Sequence, residues 1–280
     1  MPCRNVGASY FRAALDSVRA QSSPRWRLCI AIDADDDGST AALLSQPDAW
    51  SDPRMTVIGS YARRITGTLN AGLRHVRTPY VCILHADDLL EEQAIAVLED
   101  NILRYPSVDY FHSSRRYIDD DGRQIGVREA CEAFALDDFK RWGPVKSVHC
   151  FRVAAALAIG GMDETLGLHG ADDYDFSWCM AEAGFAFKAI PEYLYRVRDH
   201  RRHERLTTHV PLDTQIAESV KIWKKHGMTE AEIQEQIRTR SAGYLRQALY
   251  LNDDDRREKE RSGFDIRTGW RERPASVATP

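Results

Sequence analysis

Through the first two hundred residues, short apolar runs alternate with stretches whose apolar positions recur at helical spacing. "WRLCIAID", "MTVIGS" and "YVCILHADD" each carry a run of about five apolar residues, the pattern of a buried strand. Between them, "SYFRAALDSVRAQ" sets Phe11, Leu15 and Val18 on one helical face with Ser9 as the N-cap. The turn "ADDDGST" opens a helix through "AALLSQ", and "TLNAGLRHVRT" predicts another before Tyr80. Strand and helix in alternation predict an α/β fold with a mostly parallel sheet flanked by helices. Further on, residues 91–105 predict a helix facing inward through Ile95, Leu98 and Ile102, and "VDYFHSSRRYID" a strand. Asp119–Gly122 signals a hairpin turn. "SVHCFRVAAALAIGGMDE" predicts a strand, a short helix and a Gly-Gly stop, "DYDFSWCMAEAGF" a helix ended by Gly184, and "AFKAIPEYLYRVRDH" a strand.

From Asp213 the pattern is helical only, with Ile216, Val220 and Trp223 as a core stripe and Thr229 with Glu232 as a capping box. This predicts a domain over 1–210, with halves 1–118 and 119–210, a helical extension over 211–262 and a tail over 263–280. Having no apolar period, the tail reads as a loose strap or disordered. A sheet of this type opens with a strand, whereas "MPCRN" reads as the loop after one. The expectation is a missing first strand and a mis-set start, because losing a central parallel strand exposes two ladder edges.

Composition narrows the class. The 280 residues are 43% hydrophobic and 29% charged, with a net charge of −4, which gives no basic field for nucleic acid. The acids Glu218, Glu230, Glu232 and Glu235 likewise argue against a DNA-binding helix pair near the C-terminus. No apolar run approaches the roughly 20 residues of a membrane helix, and no secretory signal pattern opens the chain, so the expected location is cytoplasmic. Six scattered cysteines without a CxxC pair read as reduced and largely buried.

Candidate chemistry lies in three acidic clusters at segment ends: Asp33–Asp37, Asp87–Asp88 and Asp172–Asp175. In a parallel sheet the first two open on one edge and can face one ligand. Hard carboxylate oxygens suit Mg²⁺ or Mn²⁺ shared with ligand phosphates, and a diphosphate beside so many acids calls for such an ion. Each cluster also has a plainer reading, as a polar turn or as acids at a helix N-terminus.

The order and spacing of "MPCRN", "IDADDDGST", "GTLNAGL", "YVCILHADD", "GGMDETLGLHGADDYDF" and "LYRVRDH" over about residues 1–205 resemble the inverting, GT-A-fold nucleotide-sugar glycosyltransferases of family 2. That resemblance implies a nucleotide-reading acid at Asp33, with Asp36 and Asp37 as rivals, and a nucleotide pocket lined by Pro2, Cys3, Asn5, Gly67, Asn70 and Ala86. It implies Asp87 as the metal carboxylate in a motif that reads His85-Ala86-Asp87, where His85 departs from the family's first acid. Donor or acceptor contacts fall to His85, Asp88 and Asp172, and the proton-accepting base to Asp173. In "YRVRDH", His200 is a further candidate ligand and Arg196 or Arg198 a phosphate contact. The implied partners are a nucleotide diphosphate sugar, UDP by default, and a saccharide, lipid-linked or small-molecule acceptor. The C-terminal helices could pack on the catalytic domain, steer the acceptor or form a homodimer contact.

Rival readings are nucleotidyl transfer, for which "PCRNVGAS" is a poor loop, and a metal hydrolase built on His85, Asp87, His112 and His200. A third is a sugar-nucleotide-binding protein that has lost turnover.

Overall fold

The computed structural model describes residues 1–45, 52–141, 143–168, 171–199, 212–249, 264–265 and 269–270. It divides into two compact units, Met1–Gly167 with Asp172–Arg202, and Leu168–Ala171 with His203–Pro280. The short Leu168–Ala171 segment groups with the later residues.

In the first unit, strand β1 (Pro2–Cys3) leads to helix α1 (Ala8–Arg19), which buries Phe11, Ala14, Leu15 and Val18 as its spacing requires. The helix begins at Ala8, one residue before Ser9, with Gly7 as its N-cap, whose carbonyl accepts from the Phe11 amide, so Ser9 sits inside the first turn and is not the cap. Strands β2 (Leu28–Ile32) and β3 (Met55–Gly59) follow, separated by helix α2 (Ser39–Leu44), and β1, β2 and β3 pair in parallel. Helix α3 (Arg64–His75) precedes strand β4 (Tyr80–Ile83), strand β5 (Leu89–Leu90) and helix α4 (Ala94–Arg104).

The second sheet is built around β6 (Tyr110–Ile118), which lies between β8 (His149–Arg152) and β9 (Phe187–Arg198), with β7 (Gln124–Arg128) also paired to it. Helices α5 (Val153–Ala158) and α6 (Asp172–Glu182) connect β8 to β9. The expectation of a mostly parallel sheet is corrected here. In this second sheet only β6–β9 is parallel, while β4–β8, β6–β8, β6–β7 and β5–β9 are antiparallel. Parallel neighbours need a long crossover, and the hairpin at Asp119–Gly122 and the loop with its 3-10 turn at Leu136–Lys140 return the chain in the opposite sense.

The core that holds this together draws Phe11 and Leu15 from α1, Ile30 from β2, Leu98 from α4, Phe111 from β6 and Ile190 and Leu194 from β9. Leu84, Ala86 and Leu90 belong to it as well, so the acidic turn between β4 and β5 is anchored through its apolar residues. Between β2 and β4 lies an apolar cavity of about 730 Å³, lined by Leu28 and Cys29 of β2, Val81 and Ile83 of β4, Leu73 of α3 and Leu98 of α4. There β1 covers only Ala31 and Ile32, and β4 ends its own sheet.

In the second unit, helices Leu212–Lys225 and Glu230–Leu249 bury Ile222, Trp223 and Ile233. The capping box forms, with the Thr229 amide and hydroxyl donating to Glu232 Oε2 at 2.7 and 2.8 Å and the Glu232 amide to Thr229 Oγ1 at 3.3 Å. Within the described part of the tail, Phe264–Asp265 pairs antiparallel with Gly269–Trp270, a contact the sequence pattern does not announce. No described helix is long and apolar enough to cross a membrane.

Gly67 shows why α3 can approach its preceding loop. A Cβ there would lie 2.6 Å from the Ala62 methyl. Gly67→Ala is expected to lower stability by about 1–2 kcal/mol, overpacking outweighing the helix propensity gained. Adding Ala62→Gly should restore most of the loss, as urea unfolding of the two variants would show.

Candidate active site

The loops that leave β1 and β2 are stitched together by their own polar groups. Asn5, at φ 49°, donates its amide to Asp36 Oδ2 at 2.8 Å, and its side-chain oxygen accepts from the Asp37 amide at 2.8 Å. Asp36 also accepts from the Gly38 amide and the Thr40 hydroxyl. Positive φ is uncommon outside glycine and most readily met by Asn and Asp, so Asn5 suits this turn. Asp33 is 5% exposed; its Oδ2 accepts from the Thr68 hydroxyl at 2.8 Å and its Oδ1 from the Asp35 amide. Cys3 sits behind the loops, and burial pushes its thiol up to about 12, with the Met1 ammonium opposing and Asp36 and Asp87 adding to the rise. One buried thiol thus feels carboxylates of both the β2 and the β4 acidic turns.

At the second turn the two aspartates part company. Asp88 is 6% exposed and its Oδ1 accepts from the Arg198 amide at 2.7 Å, whereas Asp87 is only half-buried. The Arg198 side chain, 4% exposed, donates to the carbonyls of Asp87, Asp119 and Asp120 and lies over the Tyr10 ring. Two expectations are corrected by this. Arg198 is not a phosphate contact, and Asp88 faces inward to tie β9 to the turn. Arg196 instead pairs with Glu91 Oε2 at 2.5 Å, and Arg116 reaches the other oxygen of Glu91 at 3.0 Å. The backbone amide of His85 donates to the buried Tyr195 hydroxyl at 3.0 Å, and Ala86 has its methyl in the core, so it can meet a ligand only through its backbone.

Asn70 is corrected as well. Its Nδ2 donates to the Met162 carbonyl and to Glu164 Oε1, and its Oδ1 accepts from the Met162 amide at 2.8 Å. The side chain clasps the Gly160-Gly161 loop and does not face a nucleotide. Gly161, at φ 80°, permits it, since a Cβ would stand 2.5 Å from Asn70 Oδ1. Pro2 lies in β1 with its ring buried. His200 lies outside the described residues.

Asp172 and Asp173 open α6. Asp172 is buried, and Asp173 keeps 42% of its side chain open. Asp173 Oδ2 lies 3.3 Å from His149 Nε2, and His149 Nδ1 lies 2.9 Å from the Tyr110 hydroxyl. Crowding by protein would raise the Asp173 carboxyl, but His149 above all, then Lys146 and Arg115, outweigh it and hold it well below the usual carboxylate range. His149 and Tyr110 escaped the sequence reading. Their only signal was a polar residue within each apolar strand.

Asp87 fits a divalent ion of the hard class. It offers a half-buried carboxylate on an anchored turn at the acidic edge, leaving further positions to phosphate oxygens and water. The hydrolase alternative loses its geometry, because His85, Asp87 and His112 do not gather into a three-ligand set among the described residues.

A parallel and a mixed sheet flanked by helices, with acidic turns at strand ends, have the arrangement of the GT-A fold. Residues 1–155 match the sequence profile of Glycosyl transferase family 2, and the chain belongs to that family. It is 27% identical over 181 residues to the uncharacterized protein y4gI of Sinorhizobium fredii, covering 62% of this chain and 19% of that protein. To the O-antigen biosynthesis protein RfbC of Myxococcus xanthus it is 25% identical over 207 residues, covering 71% and 15%. The chain thus spans less than a fifth of these curated relatives. Among solved structures, S. aureus TarS with UDP-GlcNAc superposes with a TM-score of 0.63 at 14% identity, covering 95% of this chain and 78% of that one. The mannosyltransferase PcManGT of Pyrobaculum calidifontis, with GDP-Man and Mn²⁺, gives 0.53 at 18% identity, covering 93% and 71%.

His112, beside this site on β6, has 0% exposure and no hydrogen-bond partner for either ring nitrogen among the described residues. Burial first, then His149 and Lys146, lowers its pKa from 6.5 to about 4. The unfolded chain therefore binds a proton more readily between these values. Stability is complete above about pH 6.5 and is expected to fall by on the order of 3 kcal/mol as pH drops towards 4. Denaturation of wild type and His112→Leu across this window should show the slope flattened in the variant.

Proposed function

We propose that this chain transfers a sugar from a nucleotide diphosphate sugar to an acceptor hydroxyl in a single displacement that inverts the anomeric carbon. The observation that carries this reading is the separation of charge at the site. Buried Cys3 feels both Asp36 and Asp87, on the turns after β2 and β4, where a diphosphate and its cation would belong, while Asp173 has His149, Lys146 and Arg115 as neighbours. TarS bound to UDP-GlcNAc and PcManGT bound to GDP-Man and Mn²⁺ support the donor class, and UDP is the nucleotide we favour. RfbC, by its name, supports an acceptor of saccharide or lipid-linked kind.

Asp173 accepts the proton of the acceptor hydroxyl as that oxygen forms its bond to the anomeric carbon. The bond to the diphosphate oxygen breaks on the opposite face, and the nucleoside diphosphate leaves with the electron pair. A base must lie within hydrogen-bond reach of its proton, and a half-open carboxylate at the start of α6 meets that requirement. Asp87 would hold Mn²⁺ or Mg²⁺, which when bound offsets charge on the leaving phosphate. Asp33 and Asp36, on the stitched loops, are the nucleotide-facing acids.

Calorimetric titration of UDP, dTDP and GDP, with Mn²⁺ and then EDTA, tests the donor assignment, for which one nucleotide should bind only with metal. Asp87→Asn should weaken that binding at least about tenfold. Asp173→Asn should leave it within twofold and lower turnover by about 10²–10⁴. Full turnover in Asp173→Asn would remove the base assignment.

A further inference from the structure

We infer that His149 and Tyr110 form a buried positioning pair that fixes the orientation of the Asp173 carboxylate for proton abstraction. The inference rests on the reading of Asp173 as the proton acceptor. It starts from an alignment of three groups on three elements: Tyr110 at the start of β6, His149 at the start of β8 and Asp173 in the first turn of α6.

Tyr110 is 0% exposed and His149 3%, so neither can satisfy its polar atoms with bulk water. The phenol hydroxyl lies 2.9 Å from His149 Nδ1, and burial, with Asp173 and Cys150 adding to it, pushes Tyr110 well above its ordinary value. Tyr110 therefore keeps its proton and donates it to Nδ1. A neutral imidazole that accepts at Nδ1 carries its hydrogen on Nε2, and buried Nε2, with no other hydrogen-bond partner among the described residues, lies 3.3 Å from Asp173 Oδ2, close enough for a small rotation of the carboxylate to complete the bond. One hydroxyl in the core thus selects the tautomer that points a donor at the carboxylate. With Oδ2 beside the Nε2 hydrogen, the lone pairs of Oδ1 are left for the acceptor hydroxyl.

A carboxylate on a helix terminus with an open side could otherwise rotate about χ2 among several orientations. Holding one of them is the kind of restraint that raises the fraction of encounters in attack geometry. The charged and titratable groups around the pair are Lys146 in the loop before β8, Arg115 on β6 and His112, also on β6, which feels His149. Lys146 and Arg115 supply charge to Asp173, and His149 supplies direction.

The test uses His149→Leu, His149→Gln and Tyr110→Phe in the full chain, with nucleotide affinity and unfolding midpoint measured beside steady-state rates. His149→Leu is expected to lower kcat about 10- to 100-fold with the donor KM within twofold, and to move the acid limb of the kcat profile to higher pH. His149→Gln, which keeps a donor, should recover part of kcat. Tyr110→Phe should populate the Nδ1–H tautomer of His149 in two-bond ¹H–¹⁵N spectra, a readout available even where the Leu variant folds poorly. A wild-type His149 found in the Nδ1–H tautomer, or a well-folded His149→Leu with unchanged kcat and acid limb, would overturn the inference. If Asp173→Asn itself kept turnover, the base reading would fail first, whereas loss in Asp173→Asn beside unchanged His149 variants would fault only the pair.

Discussion

One guanidinium decides where the acidic edge can sit. Arg198, at the last position of β9, is buried and directs its donors to the backbone carbonyls of Asp87, Asp119 and Asp120, while its own amide goes to Asp88. The β4–β5 turn, the β6–β7 hairpin and the end of the β9 strand are therefore tied to one side chain. An uncompensated buried charge is costly, so these carbonyls and Asp88 must stay where they are for the arginine to remain buried. Asp88 is held within this tie, while its neighbour Asp87 stays half-buried.

This arrangement explains why residue type alone misleads at several positions. An arginine near a phosphate site and an asparagine on a helix facing a pocket are reasonable ligand contacts, yet Arg198 and Asn70 both serve the backbone. The same donors that recognise a ligand's oxygens recognise carbonyls equally well, and only the placement of loops distant in sequence decides between them. Asn70 and Met162 are 92 positions apart, Asp88 and Arg198 110.

What periodicity governs was legible. Phe11, Leu15 and Val18 are buried where a helix face places them, the Thr229–Glu232 box caps its helix, and Asp119–Gly122 turns between β6 and β7. Each depends on residues within a few positions of one another. Strand direction does not, and the antiparallel entry of β8 follows from a loop without apolar period. The two-residue β5 is shorter than any alternation that could reveal it. In the site, the acidic turns were visible because carboxylates at strand ends are conspicuous. His149 was not, since one histidine within "SVHCFR" is an ordinary core residue until α6 brings Asp173 over it.

The two halves of the site solve opposite electrostatic problems. At the sheet edge, Asp36 and Asp87 gather negative charge that a diphosphate would worsen, so that side calls for a cation to bind donor at all. At Asp173, Lys146 and Arg115 supply positive charge beside one carboxylate, His149 sets a ring nitrogen against it, and together they keep it ionised. Such a carboxylate is a weak base in water, but in the reaction we propose its proton comes from a hydroxyl that grows acidic only as its oxygen bonds to the anomeric carbon. A group that stays ionised and aimed until that moment, and cannot deprotonate the acceptor before it, couples proton transfer to sugar transfer. Orientation then matters more than basicity, which is why the side chain behind Asp173 carries as much of the argument as Asp173 itself.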